Sequence, residues 1–159
     1  MGSVYALWMT LVERVSQDLT AAMKSQDAPR TSALRMAKAA LMNQEIEKRS
    51  PLDDAEAARV LQALVRQRED SVFQFRKANR PELVQKEENE ITLLKGYLPA
   101  EASEADIQAA VEKAVAETGA ASPKDMGKAM KAALAALEAQ GKPADGRKVS
   151  DAMRKRLGG

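Results

Sequence analysis

Three lysines in the last third of the chain have the charge and spacing to contact a phosphate backbone. Lys124, Lys128 and Lys131 recur at intervals that place them on one narrow stripe of a predicted helix. A row of ammonium groups on one helix face can bind phosphates through charge. The same row is also typical of an ordinary solvated helix face, so the stripe alone does not decide between the two interpretations.

More basic side chains follow nearby in the sequence. Residues 120–159 contain nine basic and four acidic residues, whereas residues 100–119 contain one basic and five acidic residues. The whole chain has a net charge of only +2, so attraction to anions is expected from this region and not from the molecule as a whole. The candidate nucleic-acid-binding residues are Lys124, Gly127, Lys128, Lys131, Arg147 and Lys148.

Gly127 lies inside the same predicted helix, where a glycine costs about 1 kcal/mol relative to alanine. We expect its missing side chain to allow close approach of another helix or of a ligand. The segments Gly127-Lys128 and 146–150 also invite comparison with a phosphate-binding loop. That comparison fails, because a P-loop requires GxxxxGKS or GxxxxGKT after a strand, and the chain has neither.

Several kinds of active site are excluded by residue type. The chain contains no cysteine and no histidine, which rules out Ser-His-Asp and Cys-His catalysis, disulfides and zinc ribbons. Neighbouring carboxylates occur at Asp53/Asp54, Glu69/Asp70 and Glu87/Glu88. Adjacent residues on a helix point about 100° apart, so these pairs do not converge on a metal or a substrate. We therefore predict no catalytic residue, no cofactor and no metal site.

Composition and periodicity predict an all-α fold. Apolar residues make up 45% of the chain and aromatic residues 3%, so the core must be aliphatic. A first helix is predicted from about residue 4 to 25, and six more follow between turns. Asp53 with Glu56, and Ser103 with Asp106, have the spacing of capping boxes. The methionines at positions 23, 36, 126, 130 and 153 are interpreted as core residues, and the side chains predicted to face a core also include Ile46 and Leu134.

The turn around Pro99 is the predicted domain boundary. It separates a larger N-terminal domain of about four helices, residues 1–99, from a small three-helix domain, residues 100–159. Residues 1–8 are predicted to be an extension, with Met9 as the natural initiator. The N-terminal apolar stretch is short and meets Glu13 and Arg14, and no run approaches the ~18 apolar residues of a membrane span. We expect no membrane association and a cytoplasmic location.

Several segments, taken in order, resemble the GatB/YqeY family. They are RTSALRMAKAA at 30–40, RQREDS at 66–71, YLP at 97–99, SPKDMGKAM at 122–130 and ADGRKVS at 144–150. The resemblance covers about residues 10 to 157 and is closest to free-standing YqeY-like members. The chain departs from the family pattern at Lys131, where a small residue is common, and at Gly141-Lys142-Pro143, which replaces a glycine-basic turn.

The resemblance implies the same two-part helical fold and a set of partners. The family is related to the tail of the B subunit of the glutamine-dependent aspartyl/glutamyl-tRNA amidotransferase. A related module is attached to some glutaminyl-tRNA synthetases. In both settings the module looks like a tRNA-contacting appendage, and the family is grouped with carbon–nitrogen ligases that use glutamine as amide donor. The partners implied are tRNA and an amidotransferase or aminoacyl-tRNA synthetase.

Three hypotheses for the function follow. The first is a non-catalytic tRNA-binding or amidotransferase-associated module that docks through its basic C-terminal helices. The second is a carbon–nitrogen ligase in its own right, which is disfavoured because the chain has no amidase nucleophile of the Cys or Ser-Ser-Lys type and no visible ATP site. The third is a helical protein–protein adaptor without RNA binding, which could use Arg35, Lys38, Glu45 and Arg66. The oligomeric state stays open.

Overall fold

The computed structural model describes residues 8–158, and within that range the chain is helical with no strand. The helices are α1 (Leu11–Lys24), α2 (Ala28–Lys48), α3 (Asp54–Lys77), α4 (Pro81–Lys95), α5 (Glu104–Thr118), α6 (Met126–Ala139) and α7 (Gly146–Arg156). The predicted all-α class is confirmed. The chain separates into two compact units between Leu98 and Pro99.

Side-chain caps decide where several helices begin. The Asp53 carboxylate accepts a hydrogen bond from the Glu56 N–H at 2.8 Å, and the Glu56 carboxylate accepts one from the Asp53 N–H at 3.0 Å. Ser103 and Asp106 start α5 by the same reciprocal arrangement. Both predicted capping boxes are therefore confirmed. At the far end of α5, Gly119 has a φ of 66°, a left-handed conformation that glycine adopts without strain.

Helix α1 begins later than predicted. The Thr10 hydroxyl accepts a hydrogen bond from the Glu13 N–H at 3.1 Å, and this cap starts the helix at Leu11 and not near residue 4. Residues 4–7, and all of the predicted extension except Trp8, lie outside the described residues. The Trp8 side chain is exposed.

The N-terminal unit, α1 to α4, has a core of aliphatic side chains and alanine. Its most deeply buried large side chains are Val15, Leu34, Leu41, Leu61 and Leu94. The predictions that Met23, Met36 and Ile46 belong to this core are wrong, because they are 50%, 45% and 72% exposed. Each lies off the buried stripe of its helix: Met23 follows the buried Ala22 and so points about 100° away from it. Ile46 lies five positions after Leu41, which turns it to the opposite side of α2.

The C-terminal unit, α5 to α7, has a separate core. Its fully buried members include Val111, Ala129, Ala133, Val149 and Met153. Small alanines let α5 and α6 approach closely, which suits a core without aromatic side chains. Leu134 was predicted to face this core and is instead 38% exposed, because the buried stripe of α6 follows Ala129, Ala133 and Leu137.

One buried arginine connects three helices of the N-terminal unit. The guanidinium of Arg68 on α3 lies 3.1 Å from the Glu87 carboxylate and 2.9 Å from the Glu90 carboxylate, both on α4. It also donates to the sulfur of Met36 on α2 at 3.0 Å. The side chains of Arg68 and Glu90 are only 12% and 9% exposed. The contact between Arg68 Nε and Glu90 Oε2 is ionic, since neither atom makes a hydrogen bond with a described residue.

Among residues 8–158, no helix is both long enough and apolar enough to cross a membrane.

We predict that Arg68→Ala lowers the free energy of unfolding by about 3–5 kcal/mol, because it leaves the buried Glu90 carboxylate without a cation. The matched control is Arg76→Ala. Arg76 also joins α3 to α4 through a glutamate, Glu88, but its side chain is 65% exposed. Removing this surface pair should cost at most about 1 kcal/mol. Urea denaturation measures both values, and equal losses would contradict a special role for Arg68.

Candidate nucleic-acid interface

Three candidate lysines lie at the start of α6. Lys124 belongs to a short 3₁₀ turn, Pro123–Asp125, and α6 begins directly after this turn, at Met126. Lys128 and Lys131 lie in the first two turns of α6, and all three lysines are exposed. They face water because the opposite side of α6 packs into the core through Ala129, Ala133 and Leu137.

Gly127 is exposed on the same side of α6 as these lysines. A Cβ atom added to it would meet no heavy atom within 4 Å. The prediction that Gly127 permits close approach of another helix is therefore wrong for the described residues. Because the space above this backbone is open, close approach of a ligand is the part of the prediction that remains.

The lysines differ in their ion pairs. The Lys128 ammonium lies 3.5 Å from the Asp125 carboxylate, one turn earlier. Asp125 also accepts a hydrogen bond from the Ala121 N–H at 2.9 Å, which is the main reason that its pKa is below the usual value. Lys124 and Lys131 have no acidic partner among residues 8–158. Two of the three lysines thus keep their whole charge available to an anion.

The other two basic candidates lie in the first turn of α7. The Asp145 side chain accepts a hydrogen bond from the Arg147 N–H at 2.9 Å and starts this helix. Burial of Val149 and Met153 turns Arg147 and Lys148 outward, and neither side chain has an ion pair among the described residues. Because α7 packs on both α5 and α6, all five cations belong to one three-helix unit.

One further exposed cation, Lys155, lies in α7 beyond the predicted set. Lys155 is exposed and has no acidic partner in the described part of the chain, whereas its neighbours Arg154 and Arg156 pair with Asp151 and Glu112. Lys155 follows Lys148 by two helical turns and so lies on the same side of α7. That spacing was the signal that could have identified it. We call Lys124, Lys128, Lys131, Arg147, Lys148 and Lys155 the C-terminal basic group.

Lys142 does not join this group. Its ammonium donates to the Asp106 carboxylate at 2.9 Å, which connects the loop before α7 to the start of α5. The pKa of Asp106 is lowered to about 2, mainly by this hydrogen bond and also by hydrogen bonds from Ser103. Lys142 is therefore held in a structural pair.

The neighbouring carboxylates do not converge. Asp53 caps α3, whereas Asp54 accepts a hydrogen bond from the Leu11 N–H at 2.8 Å. Glu87 and Glu88 diverge in the same way, to Arg68 and Arg76 respectively. Within residues 8–158, no cluster of three or more acidic side chains is arranged to hold a metal ion.

A half-buried tyrosine at the end of the N-terminal unit is a feature that sequence reasoning passed over. The Tyr97 hydroxyl donates to the Asp18 carboxylate on α1, and the Arg14 guanidinium lies 5.5 Å from the centre of the Tyr97 ring. Burial raises the pKa of Tyr97 above its usual value, and the hydrogen bond to Asp18 adds to this effect. Tyr97 keeps its proton and ties the end of α4 to α1, so its contribution is structural.

Comparison with known proteins decides the family. Residues 12–157 match the family described as Yqey-like protein. The chain belongs to the YqeY-like family. One relative is the altered inheritance of mitochondria protein 41, mitochondrial, of Lachancea thermotolerans, which is 34% identical over 120 residues, 73% of this chain and 64% of that protein. The protein of the same name from Eremothecium gossypii is 37% identical over 87 residues, 54% of this chain and 48% of that protein.

The alignments with these YqeY-like relatives span about half to two thirds of the relatives' length. Their names contradict the cytoplasmic location predicted from the sequence, because the relatives are named as mitochondrial proteins. That prediction rested on the short N-terminal apolar stretch and the absence of a membrane-spanning run. Both properties are equally compatible with a protein of the mitochondrial interior, so they could not identify the compartment.

The Asp106–Lys142 pair predicts a specific pH dependence. Because the folded pKa of Asp106 is about 2 and that of an unfolded aspartate is about 3.9, the pair stabilises the fold above the unfolded value. This stabilisation should disappear as the pH falls from about 4 to about 2. In Asp106→Asn, urea denaturation should show a smaller loss of stability over that interval. Equal losses in the variant and the wild type would contradict the assignment.

Proposed function

We propose that the chain is a non-catalytic tRNA-binding module that docks through the C-terminal basic group. The observation that carries this proposal is that five of the six cations of this group have no acidic partner among residues 8–158. Lys113 on α5 differs from these five cations, because its ammonium lies 3.9 Å from the Glu117 carboxylate on the same helix. The charges of Lys124, Lys131, Arg147, Lys148 and Lys155 are instead available to an external anion.

The side-chain types suit a phosphate backbone better than base edges. Lysine is a point charge on a flexible stem, so a row of lysines can follow phosphates without demanding one sequence. Structured RNA is recognised largely through its shape and backbone, which fits a module without exposed aromatic side chains in this unit. The open space over Gly127 allows a phosphate to approach the α6 backbone.

The proposed partners are tRNA and, through it, an amidotransferase or an aminoacyl-tRNA synthetase. This assignment rests on the family resemblance together with the charge pattern. Since the relatives are named as mitochondrial proteins, mitochondrial tRNA belongs among the RNAs to be compared. We assign no catalytic step to the chain itself.

The test is binding to total tRNA at about 50 and 200 mM salt. Wild-type affinity should fall steeply between the two salt concentrations. In the Lys124/Lys128/Lys131→Ala variant, the slope of log affinity against log salt should decrease by roughly three, because each lysine that is removed leaves about one phosphate without its cation.

A matched variant removes the same charge from the other unit. Lys24, Lys77 and Lys86 are exposed lysines of α1, α3 and α4, and Lys24/Lys77/Lys86→Ala should keep the wild-type slope. Equal slopes for both triple variants would show that net charge alone governs binding. Absence of binding by the wild type at the lower salt concentration would refute the proposal.

A further inference from the structure

The outward side of α2 is apolar where a solvated helix normally carries charge. Its exposed positions recur every three or four residues, opposite the buried Leu34 and Leu41. Its large apolar side chains are substantially exposed: Met36 by 45%, Met42 by 49% and Ile46 by 72%. We call these positions the α2 outer face: Ser32, Arg35, Met36, Ala39, Met42, Asn43 and Ile46.

The neighbouring helix shows what an ordinary solvated face looks like in this protein. The corresponding exposed positions of α3 are Arg59, Ala63, Arg66, Gln67, Asp70, Phe73, Gln74 and Lys77. Six of these eight are polar or charged and four carry a charge, whereas three of the seven positions of the α2 outer face are polar or charged and only Arg35 carries a charge. The two helices belong to the same unit, so the difference in polarity is a property of the α2 surface itself.

The α2 outer face continues at its N-terminal end into an open depression of about 550 Å³. Met23 from the end of α1, together with Arg35 and Met36 from α2, lines this depression. Methionine side chains are flexible and polarisable, and they adapt to apolar partners of different shapes. The apolar surface thus extends along α2 and onto the end of α1.

The charge around this face is positive. Residues 28–49 contain five basic and two acidic side chains. Lys48 pairs with Glu56, but Arg35, Lys38 and Arg49 have no acidic partner among residues 8–158. Arg35, Lys38 and Arg49 lie along one edge of the apolar stripe, and the exposed Glu47 lies on the other edge. A stripe with available cations along one edge complements a helix with apolar side chains on one side and carboxylates along the matching edge.

We propose that the α2 outer face docks an acidic amphipathic helix of a partner protein. From Ser32 to Ile46 the face is about 21 Å long, at 1.5 Å per residue, which accommodates about four turns of a partner helix. Arg35, Lys38 and Arg49 pair with the partner's carboxylates, while Ala39, Met42 and Ile46 contact its apolar side chains. RNA fits this face less well, since its centre offers no cation and no aromatic ring for stacking.

The experiment measures binding of fluorescent synthetic helices of about six turns to the full-length chain by anisotropy. One peptide carries leucine on one side and glutamate beside it, and a second has lysine in place of glutamate. The acidic peptide should bind, and the basic peptide should bind at least tenfold more weakly. Equal binding of the two peptides, or no binding of the acidic one, would overturn the proposal.

Matched variants locate the contact. Ala39→Glu and Ile46→Glu should weaken binding of the acidic peptide at least tenfold, whereas Ala63→Glu on the outward side of α3 should leave it unchanged. All three positions are exposed, and thermal denaturation should show all three variants folded. Equal effects of Ala39→Glu and Ala63→Glu would place the contact elsewhere and overturn the assignment.

Two further outcomes identify a different occupant of the face, and each would also overturn the proposal. Sedimentation that shows a wild-type dimer dissociated by Ile46→Glu would assign the face to a second copy of this chain. Loss of tRNA binding in Ile46→Glu would assign it to RNA. The Lys124/Lys128/Lys131→Ala variant should bind the acidic peptide normally, so this proposal and the tRNA proposal fail independently.

Discussion

Burial of a narrow apolar stripe on α6 and another on α7 determines which side chains of the C-terminal unit can meet a partner. Ala129, Ala133 and Leu137 fix the rotation of α6, and Val149 and Met153 fix that of α7. With aromatic residues at only 3% of the chain, this packing depends on small and aliphatic side chains at close range. The packing of the core therefore determines which lysines and arginines of α6 and α7 point outward.

The two units use different means to fix their helices. The C-terminal core is entirely apolar among its buried residues, whereas the N-terminal unit buries Arg68 between Glu87 and Glu90. A buried ion pair adds little net stability, but it penalises any arrangement of α3 and α4 that separates the charges. The N-terminal unit is thus a well-defined scaffold, and the apolar outer face of α2 is presented on a helix whose position is fixed.

The sequence was most informative where a local rule involves few residues. Capping at Asp53 and Ser103 depends on a partner three positions away, so both helix starts could be predicted. The orientation of Ile46 and Leu134 could not, since an apolar residue beside a stripe does not indicate whether a neighbouring helix reaches it. For the same reason the sequence could not exclude close approach of another helix to Gly127, because only the structure shows that the space above it is open.

The sequence predicted which cations share a helix face, but not which of them form ion pairs. Spacing placed Lys124, Lys128 and Lys131 on one side, but it could not show that Asp106 holds Lys142 or that Asp125 approaches Lys128. Ion pairing across loops depends on tertiary structure.

The most direct test of tRNA binding by the C-terminal basic group is nuclear magnetic resonance of the nitrogen-15-labelled chain during titration with tRNA at low salt. We predict amide shift changes confined to residues 121–131 and 145–155. Changes concentrated in α1 to α4, or none at all, would contradict a role for the C-terminal basic group in binding tRNA.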